Sequence, residues 1–135
     1  MSDPDLRPRA DQVPGVILYQ IVRGTDGSRC CTYMSAGVER VIGLTPAQVI
    51  ADARVLDAMI LDDDRARLQA VAEAARGTMT PYEIEIRVRT VSGDVRWLLC
   101  RAIPRRREGD GAVAYHAAAL RAPRAECPDA RRPRR

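Results

Sequence analysis

The 135-residue sequence contains no lysine and no phenylalanine, and aromatic residues make up only 4% of it. A core without phenylalanine must be filled by Leu, Ile, Val and Ala, so any internal pocket is expected to have aliphatic walls. All 22 basic residues are arginine, a residue that binds phosphate through paired hydrogen bonds. Because alanine, glycine and proline are also frequent, biased composition explains the arginine content better than phosphate recognition does.

His116 is the only histidine, which excludes a histidine pair or a histidine-rich metal centre. The acidic run 62–64 offers carboxylate oxygens of the kind that Mg²⁺ binds. Consecutive side chains diverge at the start of a helix, however, and capping of that helix explains the run without a metal. No glycine-rich phosphate loop occurs, and no serine has a base nearby in sequence. The sequence therefore argues against an enzyme.

Long apolar stretches are also absent, so no membrane span is expected, and the polar, acidic N-terminus differs from a signal peptide. The four cysteines lack a CxxC spacing, and the adjacent Cys30 and Cys31 would point to opposite faces of a strand. We expect a soluble, cytoplasmic protein whose thiols are reduced.

The length allows one domain, flanked by two polar, proline-containing segments that predict disorder, an arm at 1–12 and a tail at 122–135. The tail carries a net charge of +3. Together with Arg101 and the run 105–107 it suggests nucleic-acid binding, but no aromatic stacking platform lies beside these arginines. Nucleic-acid binding is kept only as a remote alternative.

The first half of the domain predicts a hairpin followed by helices. Two β-rich segments, 16–23 and 30–34, are separated by turn residues. Ser35 is a candidate cap for a short helix, and the Thr45-Pro46-Ala47-Gln48 sequence predicts a capping box at the next one. A longer helix should run from the acidic run to Gly77, because apolar residues there recur at helical spacing.

After that helix the hydrophobic period changes to two. Apolar and charged residues alternate over 82–89, which predicts a half-buried strand. Two further strands are predicted over 95–100 and 112–120, separated by glycine-containing turns. These last strands carry apolar residues on both sides, so we expect both faces of the sheet to be covered.

This order of elements and several local motifs resemble a PAS domain, in particular the subgroup with a tryptophan in the fourth strand. The resemblance implies an α+β fold with a five-stranded antiparallel sheet, short helices and one longer helix packed on one face. It covers residues 13–121. The motifs that carry it are Pro14-Gly15-Val16, residues 33–38, Ile42-Gly43-Leu44-Thr45-Pro46, Asp63-Asp64-Arg65 and residues 83–97, which include Trp97.

Two departures from the family pattern bear on function. Leu61-Asp62 replaces a His-Pro pair, and residues 118–121 replace the Asp-Ile-Thr exit that couples the family's last strand to a downstream effector. We therefore expect a stand-alone sensory or protein-interaction module of bacterial signal transduction. The alternative is a detached input domain of a sensor histidine kinase or diguanylate cyclase.

The resemblance also addresses cofactors. Flavin-binding light sensors of the family carry a reactive cysteine on the central helix, and no cysteine falls between 36 and 77. Haem-binding members carry a histidine on the longest helix, and residues 64–76 contain none. The sequence argues against a photoactive flavin and against haem with an axial histidine, and it leaves any other cofactor unknown.

In the family, a ligand pocket lies between the sheet and the helices, although the same residues also serve simply as core. A homodimer or a complex with a signalling partner would form through the outer sheet face and the N-terminal arm, with Tyr82 and Trp97 as aromatic anchors. A ligand or partner would then act by shifting a conformational equilibrium. The candidate pocket residues are Val41, Ile42, Ile50, Leu56, Met59, Leu68, Val71, Ile84, Ile86, Leu99 and His116.

Overall fold

A computed structural model of the chain describes residues 15–122. One antiparallel sheet with the strand order β2-β1-β5-β4-β3 forms the body of the fold. The four helices within residues 15–122 lie in sequence between β2 and β3, which confirms the predicted α+β architecture. The elements are β1 (Val16–Arg23), β2 (Arg29–Met34), α1 (Gly37–Val41), α2 (Pro46–Ala51), α3 (Arg54–Asp57), α4 (Asp62–Thr78), β3 (Tyr82–Arg89), β4 (Val95–Arg106) and β5 (Val113–Arg121).

The predicted hairpin is present, and its first strand is an interior strand of the sheet. β1 pairs with β2 on one side, with a register shift between Gln20 and Ile21. On its other side it pairs with β5 along its whole length, from Val16 opposite Leu120 to Arg23 opposite Val113. The first and last strands of the domain are thus neighbours.

Local capping follows the sequence at one helix and departs from it at another. Thr45 and Gln48 form the predicted capping box, in which each side chain accepts a hydrogen bond from the other's main-chain N–H. Ser35, in contrast, caps no helix. Its hydroxyl accepts a hydrogen bond from the main-chain N–H of Leu18 at 2.9 Å and so fastens the end of β2 to β1.

The sheet has an inner face, covered by the helices, and an outer face. The alternation predicted for β3 is confirmed, since Ile84, Ile86 and Val88 are buried on the inner face. On β4 the inner residues are Leu98 and Cys100. Their neighbours along the strand therefore face the other way, because successive side chains of a strand alternate.

The acidic run begins α4, but its third carboxylate has a different role from capping. The N-cap position is Leu61, and no side-chain capping bond is present. Asp64 is 2% exposed and binds the edge strand β3. It accepts hydrogen bonds from the main-chain N–H of Arg87 at 2.6 Å and from two guanidinium nitrogens of the same residue at 2.9 and 2.8 Å.

The residues just before α4 also bind the edge strand β3 and cover its free edge. The Leu61 N–H donates to the Arg87 carbonyl, the Arg89 N–H donates to the Met59 carbonyl, and Ile60 forms a bridge with Val88. An uncovered edge strand offers unpaired backbone groups to other chains. This segment therefore protects the edge of β3 over several residues.

The predicted arm (1–12) lies outside the described residues, as does the predicted tail beyond Ala122. Ala122 itself belongs to the folded part, because it is 1% exposed and donates a main-chain hydrogen bond to the Trp97 carbonyl at 2.9 Å. Among residues 15–122, no helix combines the length and the apolarity that crossing a bilayer requires.

Replacing Asp64 with Asn should lower the free energy of unfolding by roughly 2–4 kcal/mol, because it removes one partner of a buried ion pair. The matched control is Asp63→Asn, one residue earlier and exposed, for which we expect a change below about 0.5 kcal/mol. Urea unfolding followed by circular dichroism measures both. Equal effects of the two substitutions would contradict the role given to Asp64.

The same variant should show a distinct pH dependence. Burial alone would raise the pKa of Asp64, but the hydrogen bonds from Arg87 outweigh it and hold the pKa below the ordinary value of 3.8. A lowered pKa stabilises the fold above the pKa of the unfolded chain, and this contribution is lost as the pH falls through the pKa of the folded state. The stability difference between wild type and Asp64→Asn should therefore be full at pH 7 and shrink below about pH 4.

Candidate ligand cavity and outer sheet face

A cavity of about 140 Å³ lies between the inner face of the sheet and the helices. Its walls are mainly aliphatic, as the lack of phenylalanine predicted. Strand residues such as Ile17, Ile21 and Leu98 form the floor, and Leu56 and Leu68 from α3 and α4 form the roof.

The volume limits what the cavity holds in this conformation. An apolar cavity of about 150 Å³ accommodates benzene, whereas pockets for drug-sized ligands enclose roughly 300–1,000 Å³. The cavity thus has room for one small ring or a short branched chain.

Phenol and thiol groups line the cavity next to the apolar walls. Burial raises the pKa of the Cys100 thiol to about 11, and the thiol hydrogen-bonds the hydroxyl of Tyr19. Burial also raises the pKa values of Tyr19, Tyr82 and Tyr115, so all three phenols are neutral at pH 7. These groups present hydrogen-bonding capacity without charge.

Charged side chains surround the cavity where β1 and β2 face α3 and α4. Arg29 forms an ion pair with Asp57, and Arg65 donates a hydrogen bond to the main-chain carbonyl of Asp57 at 3.0 Å. Arg23 pairs with Glu73 at 3.2 Å. These contacts tie the hairpin to the two helices across the rim of the cavity.

Four predicted pocket residues line this cavity: Ile42, Leu56, Leu68 and Ile86. Val41 and Ile84 are buried in the adjoining core, and Met59 and Val71 pack half-buried against it. Whether any of these residues contacts a ligand stays a prediction.

The structure corrects the placement of three predicted pocket residues. Ile50 is 46% exposed on α2, where Val49 is the buried residue. Leu99 lies on the outer face of the sheet because the adjacent Leu98 and Cys100 point inward. His116 is exposed on the outer face, where its ring lies 3.3 Å from the Gln20 amide nitrogen.

The two predicted aromatic anchors lie on opposite faces. Trp97 is on the outer face, with the Arg87 guanidinium 5.4 Å from its ring centroid. Tyr82 was predicted there and is instead on the inner face, because it shares the alternation of Ile84 and Ile86. Its ring packs edge-on against Tyr115 with the centroids 6.3 Å apart.

Several residues of the cavity were not foreseen. Tyr19 and Tyr115 follow the same period of two as their apolar neighbours on β1 and β5, which was the signal available for them. Arg29 and Arg23 offered no such signal, because their partners Asp57 and Glu73 lie 28 and 50 positions away in sequence.

The outer face of the sheet carries a broad surface hollow of about 780 Å³. Leu18, Ala118 and Ile103 contribute apolar surface to it, and Gln20 and His116 contribute polar groups. Ile103 is 49% exposed. Within residues 15–122, no group of three or more histidine, cysteine or acidic side chains is arranged to hold a metal ion.

Comparison with known proteins establishes the family. The model of the PAS fold matches residues 31–119, which is more than half of the chain. The chain belongs to the PAS family.

A curated relative of this PAS domain is the blue-light-activated histidine kinase of Brucella ovis, 37% identical over 68 residues. The match includes 50% of this chain but only 14% of the kinase. Solved neighbours include a PAS domain from Colwellia psychrerythraea (TM-score 0.67, 18% identity, 88% of this chain and 96% of that one). The N-terminal domain of a diguanylate cyclase with a PAS/PAC sensor from Marinobacter aquaeolei is also similar (TM-score 0.65, 11% identity). That match covers 78% of this chain and 94% of the other. At these identities the two structures support the fold alone.

The state of the cavity thiol can be tested chemically. Cys30 is exposed and Cys100 is buried, and the pKa of about 11 keeps Cys100 protonated at pH 8. Because the thiolate is the reactive form, iodoacetamide should alkylate Cys100 at least about 100-fold more slowly than Cys30. Peptide mass mapping over time gives both rates, and the same reaction in 8 M urea is the control, where the rates should converge. Comparable rates in the folded protein would contradict the closed cavity.

Proposed function

We propose that this PAS domain is a sensory input module that binds a small ligand in its inner cavity and signals through its outer sheet face. The observation that carries the proposal is the aliphatic cavity itself, closed by α3 and α4 and containing neutral hydrogen-bonding groups such as Tyr19 and Cys100. Concave, mostly apolar sites with a few polar groups are typical of ligand binding. The domain acts without catalytic chemistry of its own.

The outer face supports the second half of the proposal. Ile103 and Val95 are 49% and 46% exposed on β4. Half-buried Leu99 lies between them on the same strand, and half-buried Leu18 lies on β1. Exposed apolar surface on a sheet is typical of a protein interface. We propose that a homodimer or a signalling partner binds there, and that the ligand shifts the equilibrium between two arrangements of this interface.

Within a cell, the domain is proposed to work in the cytoplasm, either on its own or as the input domain of a sensor histidine kinase or diguanylate cyclase. Free thiols at Cys31 and Cys100 suit a reducing compartment. Nucleic-acid binding has less support. Arg101 pairs with Glu83 at 2.7 Å and Arg107 pairs with Asp110, so neither presents an uncompensated charge.

Ligand entry can be blocked from the helix side. Ala72 on α4 lines the cavity, and Ala72→Leu should weaken the binding of benzene, used as a size-matched probe, at least about tenfold. Ala74→Leu, two residues later and exposed, is the control and should leave binding unchanged. Chemical-shift titration by NMR measures both affinities. Undiminished benzene binding to Ala72→Leu would show that the probe binds elsewhere.

The interface can be tested with two residues of nearly equal exposure. Ile103→Glu, on the outer face, should weaken self-association or partner binding at least about tenfold, because it places a charge in an apolar contact. Ile50→Glu is the control, since Ile50 is 46% exposed on α2, away from this face. Sedimentation equilibrium gives the dimer dissociation constants. Equal dissociation constants for the two variants would argue against the outer face.

A further inference from the structure

The rim of the cavity contains two acidic residues, and each of them binds two guanidinium groups. Arg29 and Arg65 both bind Asp57, the first through its carboxylate and the second through its main-chain carbonyl. Arg23 and Arg76 both bind the carboxylate of Glu73, at 3.2 and 2.6 Å. Three of these four arginines, Arg23, Arg29 and Arg65, line the cavity where the apolar walls end.

The charge at this rim is positive. Three arginines but only two acidic residues line the cavity. Arg65 also pairs with Asp62, whose side chain is 91% exposed and lies outside the lining. An entering anion is attracted by such a rim, whereas an entering cation is repelled. The groups counted are those of Arg23, Arg29, Arg65, Asp57 and Glu73.

The contact between Arg29 and Asp57 is of a kind that a ligand can replace. Their side chains are 38% and 22% exposed, and ion pairs near the surface contribute little to stability. A ligand carboxylate that takes the place of Asp57 re-forms the same charge-assisted hydrogen bonds with the guanidinium, which accepts carboxylates in paired geometry. The exchange therefore costs little, and burial of the ligand's apolar part drives it.

We propose that the cavity binds a small monocarboxylate, with a single ring or a short branched chain inside and its carboxylate on Arg29 and Arg65. This inference rests on the proposed function of the cavity as the ligand site. The apolar volume of about 140 Å³ limits the size of the ligand's ring or chain. The two guanidinium groups favour a carboxylate over a neutral group. The bound carboxylate displaces that of Asp57 and so releases the end of α3 from β2, which couples occupancy of the cavity to the position of this helix.

Benzoate and its neutral analogue benzamide are the probes, because they differ in the charged head and share the ring. We expect wild type to bind benzoate at least about tenfold more tightly than benzamide in an NMR titration. Arg29→Gln should remove most of that difference by weakening benzoate alone. Arg101→Gln, which breaks an ion pair on the outer face, should change neither affinity.

For a second variant we expect the opposite change in benzoate affinity. Asp57→Asn keeps the size of the side chain but removes the carboxylate that competes for Arg29, so it should strengthen benzoate binding about threefold or more and leave benzamide unchanged. A purely structural role of the ion pair would instead weaken both probes in Arg29→Gln and Asp57→Asn alike. Thermal unfolding of each variant tests whether the fold is retained. If Arg29→Gln does not fold, Arg65→Gln takes its place.

The outcomes separate this inference from the function on which it rests. Equal affinities for benzoate and benzamide, both abolished by Ala72→Leu, would overturn the preference for a carboxylate and leave the cavity as the ligand site. Failure of benzene, benzamide and benzoate alike to bind would overturn both. Benzoate binding that persists in Ala72→Leu would place the anion on the surface and overturn the inference.

Discussion

The buried carboxylate of Asp64 joins the longest helix to the edge of the sheet, and the position of the cavity follows from it. The carboxylate binds both the backbone and the guanidinium of Arg87 on β3, so the start of α4 is fixed at one edge. Near its middle, α4 is held over the sheet centre, where the Tyr115 hydroxyl donates to the Ala72 carbonyl at 3.0 Å. Side chains rather than backbone contacts set the distance between helix and strands at that point, and the small cavity lies there.

The two faces of one sheet separate the two proposed tasks of the domain. Along β5, Tyr115 points toward the cavity and His116 toward the outer hollow, so adjacent residues face the proposed ligand site and the proposed partner surface. Because β5 also pairs with both β1 and β4, a shift of this strand reaches both surfaces at once. The rim ion pairs add a second connection, since they join the β1–β2 hairpin to α3 and α4.

The sequence predicted the elements well wherever a single local pattern decided them. The alternation on β3 and the capping box at Thr45 are examples, because each depends on residues a few positions apart. Placement failed on β4, where Leu98 and Leu99 are both apolar and only the register with β3 and β5 decides which is inside. It failed for Ser35 and Asp64 because their partners, Leu18 and Arg87, lie 17 and 23 positions away. The roles of Arg29 and Arg23 at the cavity rim could not be predicted for the same reason.

The intrinsic fluorescence of Trp97 reports on one face of the sheet and not on the other. It is the only tryptophan in the chain, it lies on the outer face, and its ring packs under the guanidinium that Asp64 holds. Intrinsic fluorescence therefore monitors the outer surface and the junction between α4 and β3, while the cavity on the opposite face has no indole of its own. An unchanged emission spectrum is thus compatible with a filled cavity. A changed spectrum indicates that the surroundings of Trp97, on the outer face of the sheet, have changed.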